Sequence, residues 1–180
     1  MKRNLARWRV RAGYPVSLLY FWLARPHWAW LAAGTVLGLA GITIRALAAG
    51  YLRKNEQLAT GGPYGWTRNP LYFGSAWIAA GLAVASRSWL AAVVVVAYFL
   101  AFYPATMRNE EAALTARYGE PFREYAARVP LFWPWPPRPA QTAETRFSWA
   151  QYRRNHEYNA ALGTALVILL LVAKMILFGH

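Results

Sequence analysis

Polar and apolar positions alternate along this chain in blocks, not residue by residue. From Ala12 to Leu52 almost every residue is apolar, and only Arg25-Pro26-His27 interrupts the run. A proline between polar neighbours predicts a break between two helices, Tyr14 to Ala24 and Trp28 to Ala49. The second is long enough to cross a bilayer, which takes ~20 residues. The first is short and reads as a thin crossing or a hairpin limb equivalent to one. Gly34, Gly38 and Gly41 fall close to one face of the second, a small-residue stripe that lets helices approach closely. Leu71 to Ala85 and Trp89 to Tyr103 follow as two more apolar helices, joined by Ser86-Arg87-Ser88 in a tight hairpin. Tyr158 to Phe178 is a fifth apolar segment of spanning length.

Between residues 105 and 157 the pattern is polar. MRNEEAALTARYG continues the fourth helix beyond the apolar zone and stops at Gly119, a natural C-terminal cap. Pro121 opens a short amphipathic helix, PFREYAAR, with Phe122 and Tyr125 inward and Arg123 and Arg128 outward. VPLFWPWPPRP then breaks regular structure, and its tryptophans suit an aromatic membrane anchor.

Composition agrees with the blocks. Apolar residues make up 57% of 180 and charged residues only 15%, too little polar surface for a soluble domain. The fold class is therefore all-α, a polytopic membrane helical bundle of about five transmembrane helices. Residues 1–180 form one membrane domain: a basic arm (1–13), a four-helix core (14–104), a polar cap segment (105–157) and a C-terminal transmembrane helix (158–178). The net charge of +13 does not form a nucleic-acid stripe, because the basic residues flank apolar runs. If each segment crosses once, 16 of the 20 Lys and Arg fall on one side, with only Arg25 and Arg87 opposite. The positive-inside rule makes that side, with the N-terminus, cytoplasmic. All seven acidic residues are glutamates and lie there too. The N-terminal apolar run lacks a small-residue cleavage site and is expected to be retained. There is no cysteine, and His27, His156 and His180 lack ligand spacing, so no metal site is expected. Arg45 and Lys174, inside spans, are expected to snorkel, with a substrate headgroup as an alternative contact for Arg45.

Three stretches are richer than their architecture requires. GGPYGWTRNPLYFG (61–74) supplies a turn, Asn69 as N-cap and Pro70 at the first helical position. It also crowds Tyr64, Trp66, Arg68 and Tyr72 into one turn, where an arginine beside a helix N-terminus suits an anion. Glu110-Glu111 sits at the same level. Adjacent helix positions point about 100° apart, so one glutamate can face the bundle while the other meets an arginine. YGEPFREYAARVP (118–130) is the third stretch.

Together these blocks resemble the isoprenylcysteine carboxyl methyltransferase and phospholipid methyltransferase superfamily over roughly Leu58 to Pro130. The resemblance implies an integral membrane methyltransferase with a cytoplasmic S-adenosylmethionine cap and a lipophilic acceptor, such as a prenylcysteine-like carboxylate or a phospholipid amine. Carried over residue by residue, the cofactor set is Gln57, Leu58, Ala59, Tyr64, Arg68, Asn69, Tyr72, Glu110 and Glu111. Tyr125 and Arg128 brace the lid, and Arg68 and Glu110 are the candidate catalytic pair. Two positions depart from the pattern. Asn69 replaces a histidine, so that position cannot titrate as a base, and Thr106 replaces an arginine that helps receive the lipid, which leaves the acceptor open. A nicotinamide-dependent membrane reductase of the sterol type and a non-catalytic scaffold are the competing readings.

Overall fold

A computed structural model describes residues 2–54, 56–134 and 146–178. Among these the secondary structure is entirely helical. In chain order it comprises α1 (Lys2–Leu23), α2 (Trp28–Tyr51), a 3-10 turn (Gly62–Gly65), α3 (Pro70–Ala85), α4 (Trp89–Tyr118), α5 (Glu120–Arg128), α6 (Trp149–Arg154) and α7 (Tyr158–Phe178). Three of them, α2, α4 and α7, are long and apolar enough to cross a membrane, while α3 is a shorter apolar helix of 16 residues. α1 is a single helix that carries the basic N-terminal residues and Pro15 in line with its apolar half.

The breaks fall where the residue pattern places them. Between α1 and α2 the chain turns at Arg25, buried Pro26 and His27. The α3–α4 turn is organised by Ser86, which is fully buried. Its hydroxyl donates to the Ala83 carbonyl at 2.7 Å and accepts from the Ser88 amide at 3.2 Å. The Arg25 amide donates to the Ser86 carbonyl at 2.8 Å, so both turns lie at one end of the bundle.

Glycine sets the closest contact in the bundle, between α2 and α3. A Cβ on Gly34 would lie 2.3 Å from the Gly81 carbonyl oxygen, and one on Gly41 would lie 2.5 Å from that of Gly74. The reciprocal additions at Gly81 and Gly74 fail in the same way. The two backbones therefore pack through paired glycines, the geometry expected from the stripe of Gly34, Gly38 and Gly41. At the far end Tyr20, Ala24, Leu31, Ala85, Ala91, Leu171 and Met175 form the main buried cluster, joining α1 to α4 with α7.

α4 is 30 residues long, about 45 Å at 1.5 Å per residue. That exceeds a hydrocarbon core of about 30 Å, so its last turns project beyond the apolar zone. Gly119 ends it at φ +59 and leads straight into α5, which has Pro121 in its first turn. Phe122 and Tyr125 are buried, and Arg123 and Arg128 are exposed. The segment before α7 docks on the end of α2: the Ser148 amide donates to Gly50, and Asn155 Nδ2 donates to the carbonyls of Ala49 and Leu52. Of the aromatic-proline stretch, residues 135–139 lie outside the described residues, as does His180.

Candidate functional site

A cavity of about 620 Å3 opens where α2 ends, α3 begins and α4 projects. Nine of the eleven residues expected from the sequence line it: Gln57, Leu58, Ala59, Tyr64, Arg68, Asn69, Tyr72, Glu110 and Tyr125. Glu111 pairs with Arg68, and Arg128 is exposed and does not line the cavity, its Nε donating to the Glu124 carbonyl at 3.2 Å.

Local chemistry explains the convergence. The 3-10 turn at Gly62–Gly65 and Pro70 at the start of α3 force residues 66–69 into a compact loop. The chain after α5 lies against that loop. The Arg68 amide donates to the Pro130 carbonyl at 2.9 Å, while Asn69 Nδ2 (3.0 Å) and the Thr67 hydroxyl (3.3 Å) share the Leu131 carbonyl. Asn69 thus occupies the N-cap position of α3, but its side chain does not cap. The Leu131 carbonyl lies outside any helix and takes the Asn69 donor instead. A second tie is buried: the Tyr125 hydroxyl donates to the Tyr64 carbonyl at 2.7 Å.

The two adjacent carboxylates diverge as helix geometry requires. Glu110 accepts a 2.6 Å hydrogen bond from the Tyr72 hydroxyl, and Glu111 Oε1 lies 2.9 Å from Arg68 Nη1. That ion pair is not a directed hydrogen bond. Arg68 Nε and Glu111 Oε1 are both buried without a hydrogen-bond partner. A buried N–H with no acceptor is rare and costly, and here it belongs to an arginine on the cavity wall. Burial pushes the Tyr64 phenol far above its ordinary range, with Tyr125, Glu110 and Glu157 adding to the rise and Arg45 opposing it. Burial likewise raises Tyr125, with Arg68 opposing and Glu111 adding. Burial thus favours the protonated form of both phenols, and the Tyr125 hydroxyl donates its proton to the Tyr64 carbonyl.

Three features of the surroundings were not evident in the residue pattern. Arg45 is held by specific partners. Its guanidinium forks onto Glu157, with Nε to Oε2 and Nη2 to Oε1 both at 3.0 Å, and its Nη1 reaches the Leu71 carbonyl and the Ser75 hydroxyl. Gly74 leaves the room, since a Cβ there would meet Arg45 Cγ at 2.6 Å. Lys174 is held by partners as well, its ammonium lying within reach of three carbonyls at the end of α1. Finally, an apolar chamber of about 450 Å3 lies deeper in the bundle, between α1, α3, α4 and α7, and shares Arg45, Ser75 and Tyr103 with the first cavity. A lone arginine in an apolar run was the available signal for the junction. Glu157, more than a hundred residues away, gave none.

The chain belongs to the phospholipid methyltransferase family, which it matches over residues 26–121, within the superfamily of isoprenylcysteine and phospholipid methyltransferases. It is also similar to two curated proteins. The cobalt-zinc-cadmium resistance protein CzcN of Cupriavidus metallidurans is 32% identical over 140 residues, covering 74% of this chain and 64% of the relative. The nickel-cobalt-cadmium resistance protein NccN of Alcaligenes xylosoxydans xylosoxydans is 31% identical over 142 residues, covering 74% and 65%. The chain thus spans just under two thirds of the length of these relatives. No solved structure matches it significantly. Among the described residues, no three His, Asp or Glu side chains gather as a metal-binding group.

Proposed function

We propose that this protein is a membrane methyltransferase that uses S-adenosylmethionine to methylate a lipophilic acceptor. In this reading the chain crosses the membrane about five times, with the cavity on the cytoplasmic side. The observation that carries it is the pairing on one cavity wall: Tyr72 with Glu110, Arg68 with Glu111, and a buried Arg68 Nε still lacking an acceptor.

That donor set fits the cofactor. An orphaned guanidinium N–H suits the carboxylate of an amino-acid moiety. Glu110, held by Tyr72, offers an acceptor for ribose hydroxyls or an ammonium group. Leu58, Tyr64, Leu114 and Tyr118 provide apolar and aromatic wall for a purine. When bound, S-adenosylmethionine supplies an electrophilic methyl group on a sulfonium. The residues of this chain contribute alignment and exclusion of water, which can supply much of the rate of such a transfer. Tyr125 holds α5 over the Tyr64 turn and so closes the cavity. If the acceptor is an amine, a cavity glutamate, Glu110 or Glu157, takes its proton.

Calorimetric titration of the purified protein with S-adenosylmethionine and with NADPH tests the reading. Saturable binding of the former alone, with transfer of labelled methyl into extracted membrane lipid, is expected. Binding of NADPH alone would overturn it in favour of a reductase, and binding of neither in favour of a scaffold.

A further inference from the structure

The two cavities meet at one charged pair. Arg45 borders both, and Glu157 borders the polar one. Arg45 lies six residues before the end of α2, about 9 Å inside an otherwise uncharged 24-residue helix. An ionisable side chain at such depth is expensive to maintain and marks function by default. Its guanidinium has two differently held edges. Nη1 is fixed to α3 through the Leu71 carbonyl and the Ser75 hydroxyl, while the Nε/Nη2 edge carries the Glu157 carboxylate as a bidentate fork. Glu157 lies outside the family-matched residues 26–121.

We infer that this fork is the headgroup site for an acidic amphiphile, a carboxylate or phosphate on a single apolar chain, and that Glu157 occupies it in the empty protein. The inference deepens the methyltransferase reading, and rests on it, in taking the bound amphiphile to be the acceptor. Three relationships carry it. The Nε/Nη2 edge matches carboxylate and phosphate geometry, and α3 holds it in place when its anion changes. The chamber that also borders Arg45 is apolar, lined by Phe21, Leu82, Val95, Phe99 and Val167 among others, so a chain lying there brings its acid to Arg45. Glu157 can also leave without dragging the backbone, because Asn155 anchors that segment to the Ala49 and Leu52 carbonyls, and the polar cavity offers the freed carboxylate water. Exchanging one carboxylate for another acid keeps the buried guanidinium paired throughout, which avoids the large penalty of an unpaired charge.

The test is saturable photolabelling of the full chain in phosphatidylcholine nanodiscs by palmitate carrying a mid-chain diazirine, without methyl donor. Labelling is expected on α1, α3, α4 and α7, with competition by palmitate or hexadecyl phosphate but not by hexadecylamine or acetate. Whichever acid competes better identifies the headgroup. Glu157→Gln removes the resident competitor and should lower the half-labelling concentration about tenfold, since apparent affinity scales with the fraction of competent sites. Arg45→Gln should abolish saturation. A gain of affinity cannot arise from misfolding, so Glu157→Gln remains decisive if Arg45→Gln fails to fold. Equal competition by hexadecylamine, or weaker labelling in Glu157→Gln, overturns the assignment. Because no methyl donor is present, failure here leaves the methyltransferase reading intact, and failure to bind S-adenosylmethionine leaves this site intact.

Discussion

Lys174, in the last turns of α7, places its ammonium 2.6 Å from the carbonyl oxygen of Phe21 and 2.7 Å from that of Ala24, capping α1 from a different helix. The last carbonyls of a helix have no partner within it, and an apolar surrounding offers no water to serve them. A cation there also opposes the negative end of the helix dipole. Lys174→Met should therefore destabilise the protein by about 1–3 kcal/mol, with Lys174→Arg recovering much of the loss. Unfolding by SDS titration in dodecylmaltoside micelles measures this, and a Met variant as stable as the parent would sink the capping role.

The glutamates should separate by role. Glu110→Gln removes the charge held by Tyr72 on the cavity wall and should weaken S-adenosylmethionine binding about 10- to 100-fold, the range for hydrogen bonds to charged groups. Glu111→Gln leaves Arg68 without its counter-charge and should lower both affinity and stability. Glu120, exposed and paired with Arg123 one turn away, provides the control, so Glu120→Gln should change neither. Isothermal titration of the three variants decides it, and equal affinities for Glu110→Gln and Glu120→Gln would remove Glu110 from the site.

How much of this was legible in the residues depended on the range of the interaction. Helix breaks at Pro26 and at Ser86-Arg87-Ser88, the Gly119 stop and the glycine stripe on α2 are local or periodic signals, and the structure carries all of them. The same holds for the opposite orientations of Glu110 and Glu111, which follow from helical rotation alone. For Asn69, Arg45 and Lys174 the residue pattern suggested a local role, cap or snorkel, but not the partner. That partner lies far along the chain: Leu131, Glu157 and the end of α1. Burying a polar group makes the nearest unsatisfied partner decisive, and sequence spacing does not reveal which partner that is.

Stability should fall in alkali through the lid. Tyr64 and Tyr125 are raised above the ordinary value of 10, chiefly by burial. Below about pH 10 the phenols are protonated in both folded and unfolded chains and contribute no pH dependence. Above it the unfolded phenols lose their protons while the folded ones keep theirs, so the unfolded state gains and stability declines as pH rises. Each group contributes at most about 1.4 kcal/mol per pH unit. Unfolding measured from pH 10 to 11.5 should therefore show a slope shallower by up to about that much in Tyr125→Phe than in the parent. Identical slopes would mean that Tyr125 titrates in the folded protein as freely as in water.

Asn69 departs from the family pattern, and its contact gives that departure a measurable consequence. Its Nδ2 holds the Leu131 carbonyl, next to the bond between the Arg68 amide and Pro130, so the side chain fastens the segment after α5 to the loop that carries Arg68. Asn69→Ala should cost about 1 kcal/mol by removing one neutral hydrogen bond. Asn69→Asp should cost about 3 kcal/mol, because it turns a buried acceptor toward a carbonyl. A histidine retains a ring N–H donor, so Asn69→His should preserve more than Asn69→Ala does. Hydrogen exchange at the Arg68 amide reads the attachment directly, and protection should fall in the order parent, His, Ala, Asp. Protection unchanged in Asn69→Asp would show that the segment is held without Asn69 and that the residue matters only for what it presents to the cavity.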